Sequence, residues 1–312
     1  MVHPLENSDN NSLIKFAESA ASLAKQQGGN SYQFYSAEMQ SQAQRKLSME
    51  AELRKAVEQE QFVLYYQPQV NTNTQEIIGM EALIRWQHPE KGMIPPFHFI
   101  PIAEETGIIK PIGEWVLEEA CRKTQEWHQQ GHDNLRIGIN LSARQLENDD
   151  IVRFTKNTLA NTGINPKMVE LEVTESAAMT DFKKTLALLH ELRDLGITLS
   201  IDDFGTGHSS LSYLQQLPVH TLKIDRAFIK DIGTDSDDGT IAKTIVAMAH
   251  NLKLNVIAEG IEVVEHLQFL QQCGCDEIQG YLFSPPLREE DFIKYLIKPK
   301  LFELPRKIKS VS

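Results

Sequence analysis

Residues 63–85 read VLYYQPQVNTNTQEIIGMEALIR, and their spacing decides the topology. Two apolar, strand-like runs, 63–70 and 77–85, are separated only by Asn71 to Glu76 (NTNTQE). A parallel crossover needs a dozen or more residues, so this polar connection can only close a hairpin. Further strand-like runs follow at 136–141, 169–174, 197–202, 220–224, 255–258 and 277–280. Helical patterns separate them, for example at 110–130, 181–195, 238–253 and 262–273. Strands alternating with helices make a parallel sheet, and eight strands suggest a closed barrel. The expected fold is α/β, a TIM-like (β/α)8 barrel whose first strand runs antiparallel to its neighbours.

Length and composition agree. The chain has 312 residues, enough for one core of about 250 plus a smaller piece. Hydrophobic residues make up 41% and charged residues 24%, the balance of a soluble globular protein. No apolar run reaches the ~18 residues of a membrane span, and the opening MVHPLENSDNNS lacks a signal-peptide pattern. A cytoplasmic protein without membrane contact is expected, although its parent could be membrane-attached. Cys121, Cys273 and Cys275 are read as reduced thiols, with Cys273-Gly274-Cys275 lining a helix end and not a zinc site. The net charge of −12 argues against a nucleic-acid polymer as partner. It leaves a small phosphate ligand open, because bound metal ions can invert the local field.

The ends read differently. Residues 12–26 (SLIKFAESAASLAKQ) place Leu13, Phe16, Ala17, Ala20 and Ala24 on one helical face. Gly28-Gly29-Asn30 ends that helix, and Tyr32 to Tyr35 reads as a strand. One helix and one strand build no core, so 1–35 reads as the tail of another domain. Residues 36–60, alanine-rich, charged and free of Gly and Pro, read as a connecting helix. The barrel is assigned to 61–300 and a tail to 301–312.

Polar residues fall where barrel strands end. These are Glu81 in GMEALIRW, Asn140 in IGINLS, Glu172 and Glu175 in ELEVTES, Asp202-Asp203 in SIDDFG, Lys223 in TLKID, Glu259 in VIAEG and Gln279 in EIQGY. Each alone has a plain structural explanation. Asp202-Asp203 could be a solvated loop, Asn140 a helix cap, and Gln279 a turn. Barrel active sites, however, are built from the C-terminal ends of strands, and all of these positions converge there. Glu81, Asn140, Glu172, Asp202, Asp203 and Glu259 are oxygen donors unaccompanied by Cys or His, a set for Mg²⁺ or Mn²⁺. Five carboxylates are too many for one ion. Two ions sharing Asp202 would balance them, with Asp203 completing the second ion's ligand set and Lys223 acting on the attacking water or developing phosphate charge.

These residues lie in motifs that resemble the EAL-domain cyclic-di-GMP phosphodiesterases. The resemblance runs through YYQP (65–68), EAL (81–83), NLS (140–142), EVTES (172–176), DDFGTG (202–207), KID (223–225), AEGIE (258–262) and QGY (279–281). It covers about residues 60 to 298. It implies metal-dependent hydrolysis of cyclic di-GMP to linear pGpG, with two Mg²⁺ or Mn²⁺ ions; Ca²⁺, which prefers longer oxygen distances, is expected to bind and inhibit. By position, Glu81, Asn140, Glu172 and Asp202 would hold one ion, and Asp202, Asp203 and Glu259 the other. Glu81, Asp203, Lys223 and Glu259 are the candidate catalytic groups. Gln67, Arg85, Ser210 and Gln279 would meet the dinucleotide, and Glu175 and Glu262 would anchor the DDFG loop.

Two positions depart from the family pattern. His208 replaces the usual aromatic after DFGTG, and Gly29 stands where the end of a GGDEF cyclase domain usually carries Arg. Residues 1–35 resemble the end of such a domain without its GGDEF loop. A parent protein with an upstream GGDEF domain, and with room for sensor domains, is implied, as is a homodimer. The rival readings are a non-catalytic cyclic-di-GMP receptor and an enolase-like metal-dependent barrel.

Overall fold

The structure is a computed structural model that describes residues 36–147, 150–206, 211–230, 232 and 239–299, with single positions between 14 and 34. Strand β1 (Phe62–Asn71) pairs antiparallel with β2 (Ile77–His88), as the short connection demands. A short β3 (Gly92–Ile94) hangs antiparallel on the end of β2. From β2 the sheet continues in parallel through β4 (Arg136–Leu141), β5 (Val169–Thr174), β6 (Thr198–Phe204), β7 (Thr221–Ile224), β8 (Asn255–Ala258) and β9 (Glu277–Ile278). β9 closes antiparallel onto β1 through Val70–Ile278 and Asn71–Glu277. β10 (Leu287–Arg288) adds to β1 beside Tyr65 and Tyr66. The ring is therefore an eight-stranded barrel in which β1 alone opposes its neighbours.

Strand alternation builds two different faces. Outward residues such as Met80, Ile139, Leu171, Val173, Leu199, Leu222 and Val256 are fully buried beneath helices. In helix 109–129, Ile112, Val116, Ala120 and Trp127 recur at helical spacing and are buried. Each large apolar side chain removed from water contributes roughly 1.5–3 kcal/mol. Tyr66, Trp127 and Phe292 stack edge-on and tilted, tying β1 to helix 109–129 and to helix 289–297. The inward face is polar instead: Gln67, Gln69, Glu81, Glu170, Glu172, Ser200, Thr221, Lys223, Glu277 and Gln279 are all buried. A barrel lumen filled this way must satisfy its own polar groups.

Helix Ala37–Glu58 precedes the barrel. Helices 96–106 and 289–297 stand outside the four example segments, whereas helix 150–162 fills the place the alternation expects between β4 and β5. The first begins at Pro96 and carries Pro101 within it, which hides it from a reading that treats proline as a stop. Ile14, Ala17, Glu18, Ala20, Ala21 and Lys25 are helical, as expected. Tyr32 and Phe34, expected in a strand, have no regular structure and are exposed. Cys273 ends helix 264–273, Gly274 caps it in the left-handed conformation, and Cys275 turns inward, where burial raises its thiol to about 12. His208, Ser210 and the tail 301–312 lie outside the described residues, as does most of 1–35.

Candidate active site

Lys223 organises the barrel mouth. Its ammonium is fully buried at the end of β7, 2.5 Å from Glu172 Oε2, 2.7 Å from Glu259 Oε1, 3.5 Å from Asp202 Oδ1 and 3.8 Å from Glu81 Oε2. Burial pushes its pKa down, but Asp202, Glu172, Glu259 and Glu81 more than reverse this, so it stays charged. Glu172 and Glu259 are held well above the usual carboxylate range. Burial and the neighbouring carboxylates raise Glu259 to about 8 despite Lys223. Burial and the neighbouring Glu81, Asp202 and Glu170 also raise Glu172, against the pull of Lys223. Its Oε1 is buried and accepts no hydrogen bond.

Sheet register supplies the room. Glu81 on β2 faces Gln67 on β1 and Gly138 on β4, and Asn140 faces Glu172. A Cβ on Gly138 would collide with Glu172 Oε1, so only glycine lets that carboxylate cross the lumen. Both oxygens of Glu81 receive amide donors: Asn140 Nδ2 at 2.6 Å and Gln279 Nε2 at 2.5 Å. Asn140 is thus no helix cap; Ser142 and Gln145 form the capping box of the next helical turn.

Adjacent residues on a strand point to opposite faces, so Asp202 and Asp203 should not share a site. The β6–β7 register shifts between Ile201 and Phe204, and Asp203 adopts φ 54°. This irregularity returns both carboxylates to the mouth. Left-handed backbone at a non-glycine residue costs on the order of 1 kcal/mol or more, strain typical of functional turns. Asp202 Oδ1 accepts from the Asp203 backbone N–H at 2.9 Å, and Glu175 Oε2 accepts from Gly205 N–H at 2.8 Å. Gly205 sits at φ 96°. Burial, Asp202 and a side-chain hydrogen bond with Asp225 raise Asp203 to about 6. Asp225 was passed over as a site residue although it closes the KID motif.

Above this cluster, Arg85 lies 5.4 Å from the Tyr65 ring centre, with Arg288 at 5.8 Å donating to the Tyr65 hydroxyl. Gln67 is bonded to Gln279 and to the Ser284 carbonyl. Glu262 is exposed; its backbone N–H donates to His266 Nδ1, and among the described residues no side-chain contact joins it to the 202–206 turn.

The family model for the EAL domain matches residues 50–286. The chain belongs to the EAL domain family. It is 43% identical to the bifunctional diguanylate cyclase/cyclic di-GMP phosphodiesterase MucR of Pseudomonas aeruginosa, over 94% of this chain and 43% of the relative. It is 43% identical to the cyclic di-GMP phosphodiesterase NbdA of the same organism, over 92% of this chain and 36% of the relative. The chain therefore spans about two fifths of the length of these relatives. Among solved structures, the PaMucR phosphodiesterase in its c-di-GMP complex superposes with a TM-score of 0.76 at 45% identity, covering 78% of this chain and 99% of that one.

The EAL domain's mouth suits hard divalent cations by its chemistry. Its donors are carboxylates and an amide, with an unsatisfied buried oxygen on Glu172. When all five are ionised, five carboxylates against one ammonium leave four negative charges, which two divalent ions would balance. Among the described residues, however, no three acidic or imidazole groups stand at ligand spacing. The Lys223 ammonium and the amides of Asn140 and Gln279 take up the carboxylate oxygens instead. Divalent ions would have to replace these contacts in part. No helix among the described residues is long and apolar enough to cross a membrane.

Proposed function

We propose that this chain hydrolyses cyclic di-GMP to linear pGpG. The observation that carries the reading is the grouping of Glu81, Glu172, Asp202 and Glu259 around Lys223, with Asn140 and Asp203 beside them, at the mouth of an EAL barrel. The names of MucR and NbdA and the c-di-GMP complex of PaMucR support the substrate. Glu81, Asn140, Glu172 and Asp202 would hold one Mg²⁺ or Mn²⁺, and Asp202, Asp203 and Glu259 a second. Bound there, such ions would neutralise the carboxylates and supply Lewis acidity toward a phosphodiester. Lys223 Nζ, locked by its carboxylates, donates toward the attacking water or the phosphate oxygen where charge develops. Arg85 offers a planar fork to a phosphate, and Tyr65 holds that guanidinium over the mouth. Gln67 and Gln279 line the floor, with Ser210 assigned to the dinucleotide by motif. Glu175 holds the turn after Asp203 through Gly205.

The same proposal extends to the parent protein. Residues 1–35 would end an upstream cyclase-type domain, joined by helix 37–58, in keeping with the bifunctional name of MucR. A homodimer and a cytoplasmic setting complete it and rest on the resemblance and on the sparse cysteines. The test is incubation with cyclic di-GMP and Mg²⁺, followed by chromatography for pGpG. Bound but intact ligand would make the chain a receptor, and absence of binding would overturn the substrate.

A further inference from the structure

At the opposite end of the lumen lies a charged group that the proposed chemistry does not use. Arg136, at the start of β4, stands 2.7 Å from Glu170 Oε2 and 2.5 Å from Glu277 Oε2. Burial pushes its pKa down, and Glu170 and Glu277 more than reverse this. Its Nη2 also donates to Gln69 Oε1 at 3.2 Å. Gln69 is fully buried and sits on β1 two residues below Gln67.

We propose that Arg136 and Gln69 are positioning residues: through hydrogen bonds of fixed polarity they force Gln279 to present its amide nitrogen, not its oxygen, to Glu81. A guanidinium has donors only, so Gln69 must face it with its oxygen. Gln69 Nε2 is then left to donate to Gln279 Oε1, 3.2 Å away. With its oxygen engaged, Gln279 turns Nε2 to Glu81 Oε2 at 2.5 Å and to Gln67 Oε1 at 3.1 Å. Gln67 Nε2 ends the chain on the Ser284 carbonyl at 3.1 Å, which can only accept. Every end of the chain is a group of one polarity: a guanidinium below, a carbonyl at one side and a carboxylate above. Reversing any amide would set oxygen against oxygen. The amide orientations therefore follow from chemistry as well as from the coordinates.

The backbone is built for this link. Gly79 on β2 is in register with Gln69 on one side and Arg136 on the other. A Cβ at Gly79 would lie 2.9 Å from Gln69 Oε1 and 3.1 Å from the Arg136 carbonyl. Only a bare position lets the two side chains meet across β2. The residue two places on, along the same inward face, is Glu81.

The consequence rests on the reading that Glu81 holds a metal ion. Groups that orient a metal ligand through hydrogen bonds typically affect metal affinity by about 10–100-fold. Deleting Arg136 would strand Glu170 and Glu277 and is the wrong probe. Gln69→Leu keeps that ion cluster and removes the amide; Gly79→Ala pushes Gln69 off Arg136 without touching the mouth. Mn²⁺ binding is measured by calorimetry, alongside kcat and KM for cyclic di-GMP and thermal stability. Each variant is expected to raise the Mn²⁺ concentration for half-saturation by about tenfold and to lower kcat, with KM within about twofold of the parent. Val246→Ala, in the outer core, serves as a comparison for stability loss. If both variants match the parent within about twofold in Mn²⁺ binding, or lose no more than Val246→Ala does, the positioning role is overturned while the functional reading stands. If the parent itself neither binds Mn²⁺ nor cleaves, the functional reading fails first.

Discussion

Replacing Lys223 with Met tests the charge balance at the centre of the mouth. The side chains are close in size, so packing changes little. What is lost is the ammonium that stands within 3.8 Å of four carboxylates, two of them at 2.5 and 2.7 Å. Removing one partner of a buried ion pair typically costs about 3–5 kcal/mol, because the other charge is left uncompensated. At roughly 2–4 °C per kcal/mol for a domain of this size, the metal-free variant should melt about 6–20 °C below the parent at pH 8. The gap should close as pH falls through the raised carboxyl pKa values, since protonated carboxyls need no counter-charge. Saturating Mn²⁺ should restore more stability to the variant than to the parent, because it replaces the missing positive charge. Cleavage should stay low, since no ammonium remains to meet the water or phosphate. Differential scanning fluorimetry across pH, with and without Mn²⁺, reads all of this. A metal-free melting point within about 2 °C of the parent at pH 8 would refute the reasoning.

Glu81→Ala should cut kcat by far more than tenfold, the equivalent of about 1.4 kcal/mol, while dinucleotide affinity falls less; a smaller loss would remove Glu81 from the metal assignment. Glu175→Ala frees the Gly205 N–H and should raise the Mg²⁺ needed for half-maximal rate; an unchanged Mg²⁺ titration would end its role as loop anchor. Glu259 at about 8 and Asp203 at about 6 are raised above their ordinary values, so their contribution to metal-free stability is fully present at low pH and is lost as pH rises through 6 and then 8. Metal binding must displace those protons, so Mn²⁺ affinity should climb with pH and level off above about 8, with proton release detectable by calorimetry in buffers of different ionisation enthalpy. A pH-independent affinity would contradict it. Ca²⁺ should bind without supporting turnover, because it prefers oxygen distances of about 2.3–2.6 Å against about 2.0–2.1 Å for Mg²⁺; pGpG formation in Ca²⁺ at the Mg²⁺ rate would show otherwise.

The barrel and its antiparallel start were legible in the chain itself. The polar link 71–76 is too short for a crossover, and strand and helix periods are local properties of neighbouring residues. The candidate ligands were legible for a related reason: a carboxylate or lysine inside an apolar strand is conspicuous. Tertiary structure alone decided how those groups meet. Asp203 reaches the mouth through a left-handed residue and a register shift, which no side-chain alternation announces. Asp225 joins through its side chain's contact with Asp203, which no motif spacing announces. Arg136, Glu170, Glu277 and Gln69 were not among the candidate site residues. Closing the sheet turns every second side chain into a lumen where each donor must find an acceptor. Their partners lie as far apart in sequence as Gln69 and Gln279, and strand register brings them together, not local sequence.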